Sequence, residues 1–159
     1  MCDMNSTKDE NSPIKFIIQA SSKTLKRYIR PLCNNNQFSD INFLVGKDNQ
    51  KQRMSAHKII LCSWSTVFEA MFCGSLATKS DEIEIPDVEP EAFINLLNFM
   101  YYNKVEVNPE TVMSTLYAAR KYNVLELEKQ CVNFLKKNVD SENIFFLLNQ
   151  ARFYDLRKL

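Results

Sequence analysis

The chain has 159 residues, 45% of them hydrophobic, which suffices for one compact core and a short appended element. With 20 Lys and Arg against 19 Asp and Glu, the formal net charge is +1. No strong field can then concentrate nucleic acid or an anionic membrane, and binding is expected from shape and apolar surface. No apolar run approaches the ~20 residues needed to cross a bilayer, and Met1 to Ser12 lacks the apolar centre of a secretory signal, so the expectation is a soluble protein of the cytoplasm, or of cytoplasm and nucleus.

In chain order, Met1 to Ser12 is polar without an apolar period and reads as a tail. From Ser22 onward, Leu25, Ile29 and Leu32 recur at i, i+4 and i+7, with Lys23, Lys26, Arg27 and Arg30 mainly on the other face. This predicts an amphipathic helix closed by Pro31 and Asn34-Asn35-Asn36, whose basic face fits a solvated surface better than a nucleic-acid patch. Ile41, Phe43 and Val45 alternate with Asn42 and Leu44 as a strand, Lys47 to Gln50 turns, and Gln52 to Ala56 returns as the second strand of a hairpin. Ser55 is placed to cap a short helix carrying Ile59, Ile60 and Leu61. Ser65 or Thr66 caps another with Val67, Phe68, Met71 and Phe72, and Thr66 and Glu69 have capping-box spacing.

Glu82-Ile83-Glu84-Ile85 predicts a short strand stopped by Pro86. Pro90 opens a helix with a broad apolar stripe of Phe93, Leu96, Leu97, Met100 and Tyr101. Val105 and Val107 predict a brief edge strand. Asn108-Pro109 starts a helix with Val112, Leu116 and Ala119 inward, ended near Asn123, and Leu127, Cys131, Phe134 and Leu135 mark the next. A last helix is expected from Asp140 or Ser141 through Ile144, Leu147, Leu148 and Ala151, with a break and a new start around Asp155. The sum is an α+β pattern, a short mixed sheet flanked by a cluster of helices.

Little chemistry is available. The five cysteines, Cys2, Cys33, Cys62, Cys73 and Cys131, are scattered and read as reduced, mostly buried thiols rather than a disulfide framework or zinc site. His57 is the only histidine. A serine triad would have to draw on it with Ser55 or Ser63 and Asp40, yet no strained nucleophile elbow is nearby, and a buried structural role fits better. Asp81-Glu82 and the pair Glu126 and Glu128 lie in polar stretches where a solvated face is the ordinary cause. Two glycines in the whole chain leave no loop to cradle phosphates. No catalytic residue, metal site or cofactor is expected.

Phe38-Ser39-Asp40-Ile41, Ala56-His57-Lys58-Ile59-Ile60-Leu61, Ser65-Thr66-Val67-Phe68-Glu69-Ala70-Met71-Phe72, Ile83-Glu84-Ile85-Pro86-Asp87-Val88-Glu89-Pro90-Glu91-Ala92-Phe93 and Leu97-Asn98-Phe99-Met100-Tyr101 follow one another in a fixed order. In that order and spacing the chain resembles the BTB/POZ family over about Ser22 to Lys137. Leu116 to Tyr122 and Cys131 to Leu135 look most like BTB–BACK proteins of the PHR type, and Val139 to Leu159 resembles the start of a BACK region. The implied organisation is a tail over residues 1–21, a BTB/POZ domain over 22–137 and the start of a BACK-like, 3-box-like helical extension over 138–159.

The resemblance implies a non-catalytic module, a homodimer that docks an unidentified protein substrate onto a cullin-3 ubiquitin ligase through the cullin-3 N-terminal domain. Leu25, Ile29, Leu32 and Ile60 match the family's apolar dimer surface, although such a stripe is also ordinary core. Asp40 and Lys58 match a charged pair beside it, and His57 matches a structural position. For cullin docking the family uses a hydrophobic residue, any residue, then glutamate; here the triplet is Leu76-Ala77-Thr78, so Thr78 loses the carboxylate and docking is expected to weaken by ~1 to 3 kcal/mol. Tyr101, Tyr102 and Asn103 are expected beside that loop, with Phe145, Phe146 and Leu148 adding apolar contact from the extension, at least one of them being core. Two other readings stay open: a transcriptional BTB module that binds corepressor, in which Pro13 to Gln19, with Ile14, Phe16, Ile17 and Ile18, form an exchanged strand, and a truncated regulator that dimerises with full-length adaptors.

Overall fold

The computed structural model describes residues 27–75, 77–139 and 143–154. Residues 27–29 are helical and tighten into a 3-10 turn at Arg30–Leu32, where Pro31 is tolerated in the first turn. Leu25, Leu76, the start of the last helix at Asp140 and the expected restart at Asp155 lie outside the described residues. Strand β1 (Ile41–Val45) pairs antiparallel with β2 (Gln52–Ala56) and parallel with β3 (Glu82–Ile85), giving a three-stranded mixed sheet of order β2-β1-β3. The alternation in β1 is realised: Ile41, Phe43 and Val45 are fully buried while Asn42 and Leu44 face the polar side. On that side Arg53 pairs with Glu82 at 2.9 Å and Lys51 with Glu84 at 3.0 Å, exposed ion pairs worth at most about 1 kcal/mol each.

Among the described residues, six helices cover the other face and run on from it: α1 (Lys58–Trp64), α2 (Thr66–Cys73), α3 (Pro90–Tyr102), α4 (Val112–Lys121), α5 (Leu125–Asn138) and α6 (Ile144–Phe153). Their core is aromatic at its centre. Phe43 from the sheet lies 5.0 Å from Phe93 of α3 and 5.9 Å from Phe68 of α2, and Tyr122 stacks on Phe68 at 4.5 Å, so one cluster ties the sheet to three helical segments. Gly46, at φ +107°, is required after β1, because a Cβ there would meet Pro90 Cγ at 3.0 Å and the Gln50 carbonyl oxygen at 3.1 Å.

The helix starts follow the expected chemistry in part. Ser65 caps α2, its hydroxyl accepting the Phe68 N–H at 3.1 Å, and Pro90 occupies the first turn of α3. Before α4, the Asn108 side chain accepts the N–H groups of Glu110 and Thr111 at 3.0 and 2.9 Å. Two expectations are corrected. Ser55 does not cap α1: it belongs to β2, its hydroxyl lies 2.5 Å from Asn36 Oδ1 and 2.8 Å from Asn42 Oδ1, and Asp40 instead accepts the Lys58 N–H at 2.8 Å. Val105 and Val107 form no strand; after the left-handed Asn103 the chain runs irregularly, with both valines half-buried against the core.

Candidate interaction surfaces

The first surface lies around the start of α1. His57, 7% exposed, has its Nε2 2.9 Å from the Gln37 carbonyl and its Nδ1 2.8 Å from the Tyr101 hydroxyl, which also accepts the His57 backbone N–H at 3.0 Å. With the proton on Nε2 every one of these groups is satisfied: Nε2–H donates to Gln37 and the Tyr101 O–H donates to Nδ1. Burial pushes the Tyr101 hydroxyl pKa well up, so it stays a donor. The histidine therefore pins the turn at Gln37 and Phe38 to helix α3. That turn presents Phe38, 78% exposed at φ +60°, a conformation a bulky residue adopts only under constraint, and the helix beyond the histidine presents Ile59 at 77% exposure. Tyr28 is exposed as well.

The residues expected at the dimer surface divide. Ile29, Leu32 and Ile60 are half-buried against the core, and the outward residue of the Ile59-Ile60-Leu61 run is Ile59, which is not among the residues expected at that surface. A seven-residue helix cannot turn three consecutive apolar side chains inward, so the run itself carried the signal. Asp40 and Lys58 meet through the backbone N–H of Lys58, whereas the Lys58 ammonium lies 3.9 Å from Asp81 and 5.7 Å over the Phe72 ring. The expected charged pair is thus a helix cap, and the lysine links α1 to the segment before β3.

The second surface is the loop between α2 and β3. Thr78 is half-buried, with its N–H donating to the Met71 carbonyl at 3.0 Å and its hydroxyl accepting the Ser80 N–H at 3.2 Å, so the loop folds back on the end of α2. Among the residues expected beside it, Tyr101 is corrected: it is 3% exposed with its hydroxyl engaged by His57, and it belongs to the core stripe. Tyr102 is half-buried beside the Arg30 guanidinium, 5.8 Å from its ring centre. Asn103 is exposed and ends α3 in the left-handed region, donating its N–H to the Phe99 carbonyl at 2.7 Å.

The third surface is α6. Leu147 and Tyr154 are buried, whereas Phe145 (74%), Phe146 (42%), Leu148 (50%) and Phe153 (73%) are exposed. The expectation that one of Phe145, Phe146 and Leu148 is core is corrected, since Leu147 takes that place. An apolar groove of about 240 Å³, lined by Met113, Leu135, Leu147, Leu148 and Ala151 among others, runs between α6 and the helices beneath.

The expectation of mostly buried thiols is corrected: among the described cysteines Cys131 is buried, Cys33 and Cys62 are half-buried and Cys73 is exposed, while desolvation pushes Cys33 up to about 11 and Cys131 up to about 12, so neither of these two is activated. Among the described residues, no three metal-ligating side chains cluster and no helix is long and apolar enough to cross a membrane.

Comparison with known proteins matches this geometry. Over 132 residues the chain is 45% identical to BTB/POZ domain-containing protein 6-A of Danio rerio, covering 83% of this chain and 24% of that protein. Over 132 residues it is 43% identical to BTB/POZ domain-containing protein 6 of Homo sapiens, covering 83% and 24%. Against BTB/POZ domain-containing protein 3 of Homo sapiens it is 41% identical over 132 residues, covering 83% and 25%. The chain thus spans about a quarter of the length of the curated relatives it matches. The family model for the BTB/POZ domain, a protein-interaction module, matches residues 29–139, and with the mixed sheet and helical cluster found there, the chain belongs to the BTB/POZ domain family.

Proposed function

We propose that this chain is a non-catalytic, homodimeric substrate adaptor for a cullin-3 ubiquitin ligase. The observation that carries the reading is the apolar face of α6: Phe145, Phe146 and Leu148 stand exposed on a helix appended to a BTB/POZ body, covered by no described part of the chain. Contiguous exposed apolar surface marks a site of protein association. The α2–β3 loop with Thr78 supplies the second contact, and Tyr28, Phe38 and Ile59 the surface at which two copies pair.

Titration of the purified chain against the cullin-3 N-terminal domain tests the adaptor role; absence of binding at concentrations on the order of tens of micromolar defeats it. Thr78→Glu is expected to tighten that binding by about 1 to 3 kcal/mol, since a carboxylate there restores charge-assisted hydrogen bonds, and a weakening would show that the loop is not the docking element. For the dimer, Ile59→Asp is expected to yield a folded monomer by light scattering, because Ile59 is outside the core and a buried unpaired charge would disfavour pairing. A wild-type monomer at micromolar concentration would overturn the quaternary reading.

A further inference from the structure

Helix α6 is built to hold one face down. Leu147, Gln150, Ala151 and Tyr154, at i, i+3, i+4 and i+7, are buried or half-buried, while Phe145, Phe146, Leu148, Asn149, Arg152 and Phe153 point outward. Along the inward face the apolar fit is incomplete, since the groove beside Leu147 and Ala151 stays open. At its start the Asn143 side chain donates to the Asn138 carbonyl at 2.7 Å, and a second attachment, reaching to more distant parts of the chain, lies at its C-terminal end.

Tyr154 closes α6 and is 9% exposed. Its hydroxyl donates to Glu89 Oε1 at 2.5 Å, and its ring stacks on Tyr117 with centroids 5.3 Å apart at 30°. Both partners are themselves fixed. Glu89 is the residue before α3, its carbonyl accepting the Phe93 N–H at 3.0 Å. Tyr117 on α4 donates its hydroxyl to Asp87 Oδ2 at 2.7 Å, and the Lys121 ammonium closes on the same carboxylate at 2.5 Å. One side chain therefore joins the appended helix to the β3–α3 turn and to α4 by a charge-assisted hydrogen bond and an aromatic stack, the two kinds of contact that carry most geometric specificity.

We propose that Tyr154 is the positioning residue of the docking face: it latches α6 to the BTB/POZ body so that Phe145, Phe146 and Leu148 are presented at a fixed place, and it does not itself touch the partner. The partner's identity rests on the cullin-3 reading above; the latch does not. Losing the ring releases the C-terminal end of α6 and leaves Leu147 as its main anchor. Losing only the hydroxyl keeps the stack and half the latch.

The test measures amide hydrogen exchange over residues 144–153 and over α3, together with affinity for the cullin-3 N-terminal domain, in the wild type, Tyr154→Ala and Tyr154→Phe. Tyr154→Ala is expected to speed exchange in α6 at least about tenfold with α3 unchanged, and to weaken binding by a similar factor, while Tyr154→Phe recovers most of both. Unchanged exchange in α6 overturns the latch, and weaker binding without faster exchange overturns it too, because the tyrosine would then be touching the partner. Should Tyr154→Ala fail to fold, Tyr154→Phe decides, with an expected increase of about threefold and no increase as the overturning result. If the wild type binds no cullin-3 domain, the adaptor reading fails while the exchange measurement still decides the latch.

Discussion

Helices α3 and α6 are both rich in large apolar side chains, and the fold uses them in opposite ways. In α3, eight of thirteen residues are buried, Phe93, Leu96 and Leu97 completely. In α6, one of ten is buried, and three phenylalanines and a leucine face outward. The difference is one of partners rather than composition. The first helix lies between the sheet and α4 and finds apolar surface on several sides, whereas the second rests on α4 and α5 along a single stripe. An apolar helix with one covered face is a core element only on that face; the rest is available to another molecule.

Truncations separate the two roles. Phe93→Ala removes a ring that contacts Phe43 and Tyr122, and it is expected to cost about 3 to 5 kcal/mol, read as a lower urea midpoint. Leu147→Ala, the corresponding change in α6, is expected to cost about 2 kcal/mol, at the low end for a buried leucine because the groove beside it is already open. Equal costs would mean that α6 is as much core as α3. Phe145→Ser then goes to the other extreme: at 74% exposure it should change stability by no more than about 0.5 kcal/mol while reducing affinity for the cullin-3 N-terminal domain. A large stability loss there would show that the face is covered within the protein.

Local patterns carried the elements and long-range contacts decided the roles. The period of two in β1, Pro90 at the start of α3 and the capping serine of α2 are properties of neighbours in sequence, and the fold realises them. Ser55 had the right chemistry for a cap, but Asp40, across the hairpin, reaches the α1 N–H, and the hydroxyl of Ser55 is taken by Asn36 and Asn42. Tyr101 fitted both the apolar stripe of α3 and a docking surface, and the phase of the helix, which turns it toward His57, selects the stripe. Ile59 and Ile60 are indistinguishable by type, so only the rotation of α1 shows which faces out. Tyr154 was invisible because its acceptor, Glu89, lies 65 residues earlier.

The smallest expected effect lies on the bridge between the two regions. Burial works against the charge of Asp87, yet hydrogen bonds from Lys121 and Tyr117 prevail and hold its carboxyl below the ordinary value; in return Asp87, with burial adding to it, pushes Tyr117 up to about 12. Between the lowered folded pKa and the unfolded value near ~3.9 the unfolded chain binds more protons, so this contribution to stability is complete above about pH 4 and is lost as the pH falls through the folded value. Because the Asp87 side chain is 47% exposed, solvent screening limits the contribution to less than about 1 kcal/mol. Asp87→Asn should therefore lower the urea midpoint slightly at pH 7 and flatten the acid limb of the stability profile. It should also loosen Tyr117 beneath Tyr154, so that hydrogen exchange rises modestly in α6 and stays unchanged in α3. Equal changes in both helices would mean that the Asp87 cluster braces the core, and that the appended helix has no separate attachment of its own.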